Sequence, residues 1–312
     1  MRYRMATHPL TIHEHLARFI VTINKLTDAK RAAVLRALCE GNSIRATCRL
    51  TGAAKATVLK LLVEVGEFCS GYQDYALRGL RTVRVEADEI WAFVGAKQRR
   101  ARRPGDGDIW TFTALDSDSK LMITWLVGQR ESNDATEFLK DLRSRLSNRV
   151  QLTTDGHGMY EIAVRAAFGW EVDWAMLVKE YGTLDDPKDP TRRYSPGVCT
   201  GTTKIRKIGR PDKALVSTSY VERSNLTLRM QQRRFTRLTN AHSKKAENHA
   251  HAVSLYFMYY NFCRPHSTLT KDHPRHYPTT PAIAAGVTDH IWKVEEILAA
   301  MDPRNVPVRV SR

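Results

Sequence analysis

Three carboxylates far apart in the chain, Asp88, Asp155 and Glu222, each sit where they could reach a shared metal. Asp88 lies on the polar side of an alternating run in which Val83, Val85 and Ala87 interleave with Arg84 and Glu86. Asp155 closes the apolar stretch from Val150 to Thr154. Gly156 and Gly158 follow it and leave room for an ion or a phosphate to approach the backbone. Glu222 falls in the first turn of a predicted helix. Breaking a phosphodiester without a covalent intermediate needs an activated hydroxyl and a stabilised leaving oxygen. Two divalent ions roughly 4 Å apart, one on each oxygen, supply both. Mg²⁺ (or Mn²⁺) favours hard oxygen ligands and keeps several waters, so a few carboxylates can hold the pair. Each acid also has an ordinary structural use. Asp88 stands between Glu86 and Glu89, Asp155-Gly156 is a turn signal, and Ser219 to Glu222 has the spacing of a capping box.

The surroundings of Glu222 point the same way. Between residues 216 and 237 it is the only acid, and Arg223, Arg229, Arg233, Arg234 and Arg237 follow it. On a continuous helix Arg229, Arg233 and Arg237 fall within roughly 60° of Glu222, a cationic track suited to a nucleic-acid backbone. A solvated basic face would give the same stripe. The whole chain carries 49 Lys and Arg against 33 Asp and Glu, a net charge of +16, which favours a polyanionic partner such as double-stranded DNA. An acidic membrane surface would also attract this charge. However, the 312 residues hold no apolar run of about eighteen, no secretory signal and no lipidation motif, so a cytoplasmic protein without a membrane partner is expected. The five cysteines form no Cys-x-x-Cys pair, which argues against a zinc ribbon or a disulfide framework and fits a reduced compartment. Nucleophile-elbow, phosphate-loop and dinucleotide-binding motifs are absent.

These residues need a frame. Residues 10–75 read as helical. Asp28 is the expected cap of a helix through Val34, Leu35 and Leu38 that stops at Gly41. Ser43 caps a short second helix ending at Gly52, and a third runs from about Ala53 to Val65. Two short helices joined by a glycine turn match a helix-turn-helix, in which Lys55, Thr57 and Lys60 would face DNA. From Thr82 the pattern becomes strand-like. A basic loop (Lys97, Arg99, Arg100, Arg102, Arg103) leads into two runs, Ile109–Leu115 and Leu121–Val127, joined by the turn Asp116–Ser119. A helix from Asn133 to Leu146, the strand before Asp155, a helix from Tyr160 to Phe168 and a strand from Glu171 to Val178 follow. Residues 181–216, with Pro187, Pro190 and Pro196, read as a basic irregular insertion. Helices are expected over 219–238 and 243–262. This order gives an α/β fold, a ribonuclease H-like mixed sheet flanked by helices behind an N-terminal helix-turn-helix domain. The expected divisions are residues 1–78, 79–240 and a helical tail, 241–312.

Several of these blocks resemble one family. Asp88-Glu89-Ile90-Trp91, within Val85–Lys97, is similar to the first acidic motif of transposases of the insertion sequence one family. Thr153-Thr154-Asp155-Gly156 resembles the second, and Glu222-Arg223-Ser224-Asn225, followed by Arg229, resembles the third. Tyr260–His266 and Thr280–Val287 are similar to the ends of such proteins. The resemblance spans about residues 30 to 293. It implies an Asp-Asp-Glu enzyme that nicks element ends and joins the 3′ hydroxyl to target DNA, and it selects Asp88 over Glu86 and Glu89. It also implies that Lys97, Arg223, Asn225, Arg229, Arg233 and Arg237 contact DNA, that two copies work together as a homodimer, and that the protein acts at a bacterial nucleoid. Unlike some members, this chain has no cysteine zinc finger before the helix-turn-helix. Two other readings stay open: a helix-turn-helix regulator with an inert or domesticated catalytic domain, and a different ribonuclease H-like nuclease.

Overall fold

The computed structural model describes residues 26–182 and 199–305. The helical reading of residues 10–25 and the insertion prolines Pro187, Pro190 and Pro196 lie outside those residues. Helix α1 (Asp28–Cys39) is capped by the Thr27 hydroxyl, which accepts from the Lys30 amide. Asp28, the expected cap, instead lies in the first turn and pairs with Arg31 at 3.0 Å. The chain reverses at Gly41, whose φ of 79° and close approach to the Gln231 carbonyl leave no space for a Cβ. Ser43 caps α2 (Ile44–Thr51), as its type and position predict, and left-handed Gly52 ends it.

Helix α3 (Lys55–Ala76) runs well past the expected end at Val65. Phe68, Cys69, Tyr72 and Ala76 continue the buried stripe of Val58, Leu61, Leu62 and Val65 at helical spacing. The central glycine permits this. Gly66 lies against His251 of α7 (Ala246–Met258), where an added Cβ would stand 2.5 Å from the His251 Cβ.

The strands are β1 (Arg84–Val94), β2 (Gly107–Asp116), β3 (Met122–Gly128), β4 (Gln151–Asp155), β5 (Asp173–Tyr181) and β6 (Cys199–Ile208). They form one mixed sheet in the order β3-β2-β1-β4-β5-β6. β1, β2 and β3 are an antiparallel meander, β4 and β5 run parallel to β1, and β6 returns antiparallel to β5. The crossovers are α4 (Ser132–Arg145) and α5 (Met159–Phe168). Strand β6 corrects the expectation of an irregular insertion throughout residues 181–216.

Side-chain alternation along β1 assigns the two faces. Val85 and Ala87 enter a cluster with Phe112, Phe138, Leu142 and Tyr160 that extends without a break into α1–α3. Ile90, Ala92 and Val94 enter a second cluster with Val221, Leu228 and Val253. Arg145 of α4 ties that helix to the end of α3. It pairs with Asp141 and Asp74 at 2.7 Å each and donates to the Gln73 carbonyl at the end of α3.

Helix α6 (Ser219–Gln231) is shorter than expected. Gln232 leaves helical geometry, its side chain reaches the Leu38 carbonyl, and Phe235 buries itself in the second cluster. Arg233 and Arg237 are therefore not on the Glu222 helix, and the continuous arginine face read from the sequence does not form. The helix expected over 243–262 is α7 followed by a π-helical turn, Tyr259–Cys263. Within that turn Asn261 bonds both the amide and the carbonyl of Met122 and so pairs the outer edge of β3. No helix among the described residues is long and apolar enough to cross a membrane.

Candidate metal centre

Parallel pairing of β1 with β4 carries Ala87 opposite Thr154 and ends there, so Asp88 and Asp155 come side by side where β4 stops. The ligand oxygens of Asp88, Glu89 and Asp155 lie within 4.8 Å of one another. Asp88 points to the α6 face of the sheet, where its carboxylate accepts from the Asn225 amide at 2.9 Å. Glu89 points to the opposite face, as neighbours on a strand must. There it accepts from Tyr160 at 2.8 Å and pairs with Arg130 at 2.5 Å. Arg130 lies over the Trp110 ring and stands 3.8 Å from Asp155. Asp155 accepts from the His157 amide at 3.1 Å, which turns its carboxylate towards the strand ends.

Glu222 lies on the first turn of α6 and lines the same cleft, of about 480 Å³, with Asp88, Asp155, His157, Lys179 and Tyr181. Both Glu222 oxygens stand 2.5 Å from the Lys179 ammonium, and the Thr218 hydroxyl also donates to one of them. The three acids selected from the sequence thus share one cleft. However, among the described residues the group close enough to share an ion is Asp88, Glu89 and Asp155, with Glu222 held apart on its own cation.

Glu86 sets the position of α6. It is 3% exposed and faces the same side as Asp88. One oxygen accepts from the Tyr220 and Val221 amides at 2.8 and 2.9 Å, and the other from Ser117 at 3.2 Å. A carboxylate on the free amides of a helix N-terminus is favoured by hydrogen bonding and by the helix dipole together. Glu86, Glu89, Arg130 and Lys179 were all missed as site residues. The period-2 pattern could have flagged Glu86, because it shares a strand face with Asp88.

No family model matches the chain, and no curated protein matches it. The chemistry must therefore be read from the site itself.

Burial, followed by the charges of Glu89 and Asp155, pushes the Asp88 carboxyl up to about 7. Burial and Asp155 also raise Glu89, against the pull of Arg130 and Tyr160. Carboxylates gathered with less cationic charge than they carry fit a divalent ion, which hard oxygen ligands select.

The residues expected to contact DNA divide into two groups. Lys55, Lys60, Lys97, Arg223, Arg233 and Arg237 are exposed, and Thr57 is half-buried. Lys60 stands 3.8 Å from Glu64, and Lys97 lies over the Trp91 and Phe93 rings at 5.9 and 5.8 Å. Asn225 is 7% exposed, and its side-chain amide donates to Asp88 and accepts from Thr113. Arg229 is half-buried, with its Nε enclosed and unpartnered, and its charge is felt by the same cleft.

The Asp88 shift has a consequence for stability. Its ordinary carboxyl value is 3.8, so ionising it in the folded, metal-free protein is costly. That cost is absent at low pH and complete once the pH exceeds about 7. Asp88→Asn removes the charge and keeps the acceptor for Asn225. It is expected to raise stability at pH 8 by a few kcal/mol, roughly 3, with the gain shrinking as pH falls towards 5. Thermal melts of both proteins across that range, without divalent ions, measure it. A variant no more stable than the parent at pH 8 would contradict this account of the cleft.

Proposed function

We propose that this protein is a metal-dependent DNA transposase that cleaves phosphodiester bonds at element ends and joins the freed 3′ hydroxyls to target DNA. The observation that carries this reading is the convergence of Asp88 and Asp155, from separate strands, within ligand distance beside a cleft that Glu222 also lines. The sheet order supports it, because a β1–β3 meander with β4 and β5 parallel to β1 is what a ribonuclease H-like plan requires. The likeness of the Asp88, Asp155 and Glu222 segments to transposases of the insertion sequence one family supports it too. Mg²⁺ or Mn²⁺ held by Asp88 and Asp155 would offset the charge that develops on the attacked phosphate.

The chain's own residues do the positioning. Glu89 and Arg130 brace the Asp155 side, Asn225 orients Asp88, and Glu86 docks the helix that carries Glu222. Arg223, Arg233, Arg237 and Lys97 offer exposed charge for the DNA backbone. Helices α2 and α3, joined through Gly52, act as a helix-turn-helix that presents Lys55, Thr57 and Lys60 to element ends. Two copies acting at a cytoplasmic nucleoid would hold the two ends.

The test is a reaction of the full chain with Mg²⁺ or Mn²⁺ and duplexes ending in the inverted repeats that flank its coding region. Joined products are expected. Cutting without joining would assign a nuclease, and binding without cutting would assign a helix-turn-helix regulator.

A further inference from the structure

The cleft distributes its positive charge unevenly. Glu222 already holds a cation: the Lys179 ammonium stands 2.5 Å from each of its oxygens. Lys179 lines the same cleft, with its side chain 30% exposed. Its backbone belongs to β5, two positions past Leu177, which pairs with Asp155, and it pairs in turn with Thr202 of β6. The strand thus delivers the ammonium to the mouth of the cleft beside the acids. Mg²⁺ bound to Glu222 would have to sit about 2.1 Å from a carboxylate oxygen, inside the space that the ammonium occupies. Two cations at one carboxylate repel strongly where water is partly excluded. At the other end of the cleft the arrangement differs. Arg130 gives its 2.5 Å contact to Glu89 and stays 3.8 Å from Asp155, while Asp88 receives a neutral amide.

We infer that Lys179 supplies the second positive charge of this centre, so that one divalent ion binds between Asp88 and Asp155 and the Lys179 ammonium, anchored by Glu222, takes the place of a second ion. This rests on the reading of the cleft as a metal centre. The ammonium would lie against the phosphate being cut, offering its remaining N–H donor to a phosphate oxygen, and Glu222 would keep it aimed there.

Mn²⁺ binding to the full chain, followed by equilibrium titration with electron paramagnetic resonance, separates the possibilities without any activity measurement. The parent protein is expected to bind one Mn²⁺ per chain and to show no spin-coupled pair. Lys179→Met frees Glu222 and is expected to bind two Mn²⁺ with a coupled signal. Lys179→Arg, which keeps the charge, is expected to return to one. Thermal melts check that each variant folds. Two ions in the parent would overturn the inference and leave the metal centre intact. One ion in Lys179→Met would reduce Lys179 to a structural ion pair. No binding by the parent at millimolar Mn²⁺ would remove the metal centre, and the inference with it.

Discussion

Asp155→Asn is expected to lower Mg²⁺-dependent DNA cleavage roughly a thousandfold, equivalent to about 4 kcal/mol of transition-state stabilisation, while leaving DNA affinity nearly unchanged. The substitution preserves shape. The Asn oxygen can still accept from the His157 amide, and the side chain, 32% exposed, fills no core position. What it removes is one full negative charge from the pair that faces an ion across the ends of β1 and β4. Glu222→Gln is expected to be similarly inactive for a different reason, since a neutral amide would no longer hold the Lys179 ammonium by two short contacts. The two variants should therefore differ in Mn²⁺ affinity, with Asp155→Asn losing it and Glu222→Gln retaining it. Gel-shift affinity and thermal melts separate these losses from DNA binding and folding. Cleavage at the parental rate by either variant would remove that residue from the chemistry.

The part of this architecture that local chemistry dictates could be read from the sequence. Ser43 and Gly52 bracket α2 because a hydroxyl cap and a left-handed stop have few substitutes. The alternation of Val85 and Ala87 with Glu86 and Asp88 marks a strand because each face has a different neighbour. The turn at Asp116 closes β2 onto β3 through the Ser119 hydroxyl at 2.7 Å, the kind of short polar bond that Asp and Ser favour.

What escaped depends on partners remote in the chain. Strand β6 is exposed along nearly its whole length, so it has no apolar period, and backbone pairing with β5 defines it. Helix α6 stops early because Gln232 reaches Leu38 and Phe235 finds a core, contacts that no local pattern encodes. Lys179 lay just beyond the predicted end of its strand, so its role beside Glu222 needed the sheet register. Asp88, Asp155 and Glu222 were legible as a set, but the choice of Asp88 over Glu86 came from family resemblance. The geometry gives Glu86 a different task.

That task leads to the second large effect. Glu86→Ala is expected to cost about 3 kcal/mol of stability and most of the cleavage activity, although Glu86 does not line the cleft. Its carboxylate is buried, with burial raising its pKa against the pull of three donors and Lys120. Removing it leaves the Tyr220 and Val221 amides and the Ser117 hydroxyl without their acceptor and opens a small void. Glu86→Gln keeps one acceptor oxygen and most of the volume, so a smaller loss, about 1–2 kcal/mol, is expected. Cleavage should fall further than stability explains, because α6 carries both Glu222 and the Asn225 that orients Asp88. Denaturant titrations measure the first effect. Cleavage assayed well below the melting temperature, where the variant is fully folded, measures the second. If Glu86→Ala were folded and fully active, α6 would be held by its apolar contacts through Val221 and Leu228 alone, and the carboxylate at its N-terminus would be irrelevant to where Glu222 sits.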